Sequence, residues 1–117
     1  MNSTSIDKFG YVGIEPHGTL AETAFLLGRA LGGLDFQADT ESMYEEYPAY
    51  VADRDGLRYA LLGVPEPEYD VRDVPTNDFT LMVESTSLEP ADSKIDISAE
   101  LAKKIQESGL LNCWPLD

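Results

Sequence analysis

Between residues 35 and 96 the chain gathers sixteen acidic residues, only four basic ones and five of its seven prolines (Pro48, Pro65, Pro67, Pro75 and Pro90). Neither proline nor a run of like charge suits a strand interior or a buried helix face. This stretch must therefore fold as short apolar elements separated by charged connections. The acids are distributed accordingly: Asp35, Asp39, Glu41, Glu45 and Glu46 form one group, and Glu66, Glu68, Asp70, Asp73 and Asp78 form a second in which Arg72 is the only cation. Each flank holds three acids and two bases, so the net charge of −12 in the middle is nearly all of the chain's −14.

A chain of 117 residues has room for one domain, taken as 1–117. Its apolar content of 43%, with Trp114, six tyrosines and four phenylalanines, is enough to build a core. No apolar run approaches the ~18–20 residues of a membrane span, and Met1 to Lys8 lacks the basic and apolar parts of a signal peptide. A soluble, cytoplasmic protein without membrane contact is expected. One cysteine, Cys113, permits no internal disulfide, and with a single histidine, His17, thiolate–imidazole metal sites lack ligands. No metal and no cofactor is expected.

Phe9 to Glu15 alternates as a short strand, with Phe9, Tyr11 and Gly13 on one face and Val12 and Ile14 on the other. Thr19-Leu20-Ala21-Glu22 has the form of a capping box, in which the threonine hydroxyl accepts from an amide that the first turn leaves unpaired and the glutamate reaches back. Leu20, Ala24, Leu27 and Leu31 then keep helical spacing, Phe25 and Gly28 widen the apolar stripe, and Gly32-Gly33 stops the helix. Residues 35–40 suggest an edge strand. The runs 47–53 and 57–64 flank Asp53-Arg54-Asp55-Gly56, and an Asp-Gly pair accepts the positive φ of a hairpin turn. The second run is apolar on both faces, as a central strand would be. Residues 65–77 read as a long connection, Phe79 to Glu84 as another strand, and residues 85–92 as loop. Ser98 to Ser108 is a second amphipathic helix with Leu101, Ala102 and Ile105 inward, Glu100 and Lys104 as an i,i+4 pair and Gly109 as its stop. The apolar tail 110–116 should dock on the body. The expected fold is α+β in two layers: a mostly antiparallel sheet of four to five strands, order β-α-β-β-β-α, with both helices on one face.

Few residues carry chemistry. A serine or cysteine nucleophile needs a base within reach, and only His17, in the Pro16-His17-Gly18 turn, is available. Cys113, beside Trp114 and leucines, has a setting that raises a thiol's pKa. Glu66, Glu68, Asp70 and Asp73 have the composition of a two-carboxylate hydrolase, but a catalytic pair needs rigid elements to hold its separation. Aligning Gly56 with the conserved glycine of a calcium loop puts Val51 at the first ligand position, which cannot ligate through its side chain. An enzyme is therefore not expected. Nucleic acid is excluded as a direct ligand, because a field of this sign repels phosphate.

The surplus charge points instead to a protein partner. Solubility requires a net charge of only about 2–8 in magnitude, and concentrated like charge destabilises a compact state. Glu41, Glu45, Glu46, Glu66, Glu68, Asp70, Asp73 and Asp78 would face arginines or lysines, with Tyr44 and Tyr47 as apolar anchors. The expected partner is a basic protein. In size, charge and α+β order the chain resembles the immunity proteins of bacterial contact-dependent and other polymorphic toxin systems. That resemblance implies a cognate toxin domain, such as a nuclease, whose basic site is blocked by occupancy. Other readings are an enzyme or ligand-binding domain with a site between helices and sheet, an acidic secretion chaperone, a nucleic-acid mimic, and a homodimer through the uncovered sheet face bearing Ala60, Leu62 and Met82.

Overall fold

The computed structural model describes residues 6–38, 48–64, 78–86 and 93–116. In chain order the elements are β1 (Ile6–Ile14), α1 (Leu20–Ala30), β2 (Gln37–Ala38), β3 (Ala49–Arg54), β4 (Leu57–Leu62), β5 (Phe79–Ser85), β6 (Ser93–Asp96), α2 (Ser98–Ser108) and β7 (Cys113–Pro115). The strands form one sheet in the order β2-β3-β4-β5-β1-β6, with β7 also pairing β1. All pairings are antiparallel except β1 with β6. The fold is the expected two-layer α+β arrangement, with more strands than the four to five anticipated because β6 and β7 both add to β1.

Alternation along each strand sorts the side chains. Val12 and Ile14 of β1, Leu61 of β4, and Phe79, Leu81 and Val83 of β5 point to the helices and are buried with Ala24, Leu27 and Leu31 of α1 and Leu101, Ala102 and Ile105 of α2. Tyr11, Met82, Ala60 and Val51 are cross-strand neighbours on the opposite face. Ala60 there is only 1% exposed, and Leu62 and Met82 are half-buried. That face is less open than its sequence suggested.

Local signals account for the main elements. Thr19 accepts from the Glu22 amide at 3.1 Å and Glu22 accepts from the Thr19 amide at 3.3 Å, so the capping box forms in full. At the far end of α1, Arg54 donates to the carbonyls of Leu31 at 2.6 Å and Gly32 at 3.3 Å. A cation there complements the negative end of the helix dipole and ties the β3–β4 hairpin to it. Asp55 (φ 53°) and Gly56 (φ 77°) make that hairpin's turn. The edge strand expected over 35–40 is formed by Gln37–Ala38 within the described residues. On α2 the i,i+4 contact falls on Lys103 and Glu107, at 4.0 Å, rather than on Glu100 and Lys104.

The second helix begins without a side-chain cap from Ile97. Asp96 acts in its place: its Oδ1 accepts from the Ser98 amide at 2.9 Å and from the Ser98 hydroxyl, and Ser98 Oγ accepts from the Tyr11 amide at 2.9 Å. Buried Ser98 thus joins β1, β6 and α2. A Cβ on Gly10 would come 2.9 Å from Leu101 Cδ1, and one on Gly13 would come 2.2 Å from Trp114 Nε1. Only glycine lets α2 and the indole approach the strand this closely.

Gly13→Ala should cost about 1–3 kcal/mol through overpacking and displace the indole. Because Trp114 is the only tryptophan, urea titration followed by fluorescence would show both the lost stability and a red-shifted native emission. Asp96 supplies a pH test. Its hydrogen bonds from the Ser98 hydroxyl and then the Ser98 amide hold the carboxyl below the usual carboxylate range. A carboxyl lowered in the folded state stabilises above its unfolded pKa of ~4, and that contribution is lost as pH falls through the folded value. Wild type should exceed Asp96→Asn by a constant margin near neutral pH, and the margin should close on acidification below pH ~4. A margin independent of pH would show that the charge plays no part.

Candidate protein-binding site

Strand directions decide where the acidic connections attach. Ala38 at the end of β2 pairs with Tyr50 near the start of β3, so residues 39–47 leave and re-enter at one end of the sheet. Leu62 at the end of β4 pairs with Thr80 near the start of β5, so residues 65–77 leave and re-enter at that same end. The two attachment points touch: the Gly63 amide donates to the Pro48 carbonyl at 2.7 Å. A Cβ on Gly63 would lie 2.9 Å from Pro48 Cγ and 3.0 Å from Leu20 Cδ2. The start of α1 therefore packs over the junction.

These two connections carry eight acids and one base, Arg72. The described residues at this end add Glu15, Glu22 and Asp78, and the second half of α2, which runs toward Gly109 beside Glu15, adds Glu107 with Lys103 and Lys104, leaving a large excess of acids. At the opposite end lie Lys8 and Lys94 in the β1–β6 pairing, Arg54 and Arg58 beside the hairpin turn, and Arg29 in the last turn of α1. The Arg58 guanidinium, 3.0 Å from Asp53 Oδ1, holds the Asp53 carboxyl low through its hydrogen bond. That end is nearly balanced among the described residues, whereas the connection-bearing end is acidic.

Of the residues expected to meet a partner, Asp78 lies within the described residues, half-buried at the entry to β5. Glu41, Tyr44, Glu45, Glu46, Tyr47, Glu66, Glu68, Asp70 and Asp73 lie outside them. The structure therefore brings together the attachment points of both groups.

Other candidate chemistry takes ordinary places. His17 is exposed, and its backbone amide and carbonyl both bond the Thr23 hydroxyl, at 3.0 and 3.2 Å. It borders a cleft of 340 Å³ with Glu15 and residues 109–112, in which Asn112 donates to Glu15 at 2.7 Å. Burial pushes the Cys113 thiol up from its ordinary value, and its Sγ lies 3.2 Å from the Ala102 carbonyl. Among the described residues no group of three His, Cys, Asp or Glu is arranged to hold a metal ion, and no described helix is long and apolar enough to cross a membrane.

Sequence reading missed one surface. Phe25, expected to widen the buried stripe of α1, is 66% exposed. It stands beside a groove of 400 Å³ lined by Ala21, Ala24, Gly28, Leu34, Phe36 and Tyr50. Its position at the edge of the helical stripe was the available signal, since an edge residue is buried only if a neighbour reaches it.

Compared with known proteins, the chain matches no family model, no curated protein and no solved structure.

The junction should tolerate no branched side chain. Gly63→Val, which sets two methyls against Pro48 and Leu20, should destabilise by about 1–3 kcal/mol, and Gly63→Ala by less, both measured by urea denaturation.

Proposed function

We propose that this protein is an acidic, non-enzymatic inhibitor that binds a basic protein through the connection-bearing end of its sheet, acting as an immunity protein toward a cognate toxin domain. The observation that supports this reading most directly is the joint attachment of both acidic connections, with the described arginines at the other end. Such an arrangement gives the molecule a charged pole. A pole of this sign accelerates encounter with a cationic cleft and turns away anionic competitors.

The mechanism is occupancy. Glu66, Glu68, Asp70, Asp73 and Asp78, with Glu41, Glu45 and Glu46, face cationic side chains that would otherwise bind the toxin's substrate, and Tyr44 and Tyr47 supply apolar anchoring. Carboxylates suit arginine because they accept two parallel hydrogen bonds. Desolvated tyrosines contribute at the dissociation step.

The test is to search the reading frames neighbouring this chain for one that ends in a basic domain and to express that domain with and without this chain. Co-expression should relieve the growth arrest that the domain causes. Reversing two acids, Glu68→Lys with Asp73→Lys, should slow association about ten-fold and flatten its dependence on salt. Tyr44→Ala with Tyr47→Ala should mainly accelerate dissociation. Unchanged affinity in both double variants would remove these residues from the contact, and failure to protect would remove the function.

A further inference from the structure

The outer face of α1 presents Glu22, Phe25, Leu26 and Arg29, at the i, i+3, i+4 and i+7 positions that line one side of a helix. Phe25 is 66% exposed, Leu26 is half-buried, and Glu22 and Arg29 are exposed. Two concavities flank the phenyl ring. One is the 400 Å³ groove toward Leu34, Phe36 and Tyr50, and the other, of 410 Å³, lies toward Leu26 and His17. An aromatic side chain left in water between two hollows is incompletely used by its own fold.

We propose that this face binds a second copy of the same chain, α1 against α1 in antiparallel orientation about a two-fold axis between Phe25 and Leu26. The order of the four residues selects that occupant. A two-fold interface must be self-complementary, each residue i meeting j while j meets i. With the axis between Phe25 and Leu26, Phe25 faces the partner copy's leucine, Glu22 faces the partner copy's arginine, and both pairs occur twice. A parallel arrangement would set glutamate against glutamate and arginine against arginine. A partner of uniform sign would satisfy one end of the face and be repelled by the other.

Long-range charge points the same way. Two bodies of net charge −14 repel, so a contact is favoured on a face whose own charges balance, as Glu22 and Arg29 do on α1, and in an orientation that keeps the acidic connections apart. α1 starts at the connection-bearing end, where Leu20 packs over Gly63, and finishes at the hairpin end, where Arg54 holds the Leu31 carbonyl. Antiparallel helices therefore send the two acidic poles to opposite ends of the pair. The poles remain open for the partner of the proposed function, whose test is separate from this one.

The eleven residues of α1 span only about 16 Å, which makes a small, weak, concentration-dependent dimer at the low end of interface size. Repulsion between the whole molecules exceeds the two ion pairs, so association should strengthen as salt rises toward ~0.15 M, where the screening length falls to ~8 Å.

Sedimentation equilibrium of the full chain across a concentration series is the experiment. Wild type should populate a dimer, and Phe25→Ser should weaken it at least about ten-fold. Glu22→Lys and Arg29→Glu should each weaken it about three-fold or more, and the Glu22→Lys, Arg29→Glu double variant should recover most of the loss, since the swap restores opposite charges across the axis. Circular dichroism melting of each variant separates loss of association from loss of the capping box at Glu22. A wild type that stays monomeric at every concentration and salt would overturn the proposal. So would a dimer indifferent to Phe25→Ser, which would place the interface elsewhere.

Discussion

Strand β1 is paired along its whole length, with β6 at Ile6–Phe9, β5 at Gly10–Ile14 and β7 at Val12–Ile14, and the architecture hangs on that pairing. β5 runs along one edge, while β6 and β7 divide the other between them. Its two inner glycines leave the strand bare where other groups must come closest: α2 settles on one face at Gly10 and the Trp114 indole covers the other at Gly13. Ser98 joins the three elements by accepting from the Tyr11 amide while donating to Asp96, whose own strand pairs β1. A side chain at either glycine would act on several elements together, because close-packed interiors pass strain to their neighbours.

That central strand also explains how so acidic a chain folds. The apolar faces of β1, β4 and β5 and the inner faces of two helices bury a continuous core, and burial of this kind is the main favourable term in folding. Among the residues whose burial is described, the carboxylates stay out of that core: all are exposed to water except Asp78, which is half-buried. The remaining difficulty is mutual repulsion, and antiparallel topology shapes it: two alternate returns, β2 to β3 and β4 to β5, separated by the β3–β4 hairpin, attach their connections at one end of the sheet. That joint attachment is the physical basis of the proposed function, while the outer side of α1 pairs one acid, Glu22, with one base, Arg29.

Much of the framework was legible because its signals are local. The capping box at Thr19 and Glu22 requires four residues, the turn at Asp55 and Gly56 requires two that accept positive φ, and α2 is framed by its apolar spacing and by Gly109. The elements missed are those without a local signature. β6 is four residues of mixed polarity that become a strand because β1 offers an open edge. β7 contains a proline and extends over only three residues; its pairing with β1 depends on where α2 ends. Phe25 was assigned to the core because helical spacing gives the angle of a side chain and not the reach of its neighbours. The candidate site was legible as two acidic groups with tyrosines, but not as a place.

By itself the sequence determined the class of fold, the helix and hairpin boundaries and the concentration of charge in two connections, because capping, turn chemistry and periodicity act over a few residues. Only the tertiary structure decided that both connections attach at one end, that Gly10 and Gly13 are contact points and that Phe25 faces water. Those facts depend on strand direction and on packing between residues far apart in the chain, which no local pattern encodes.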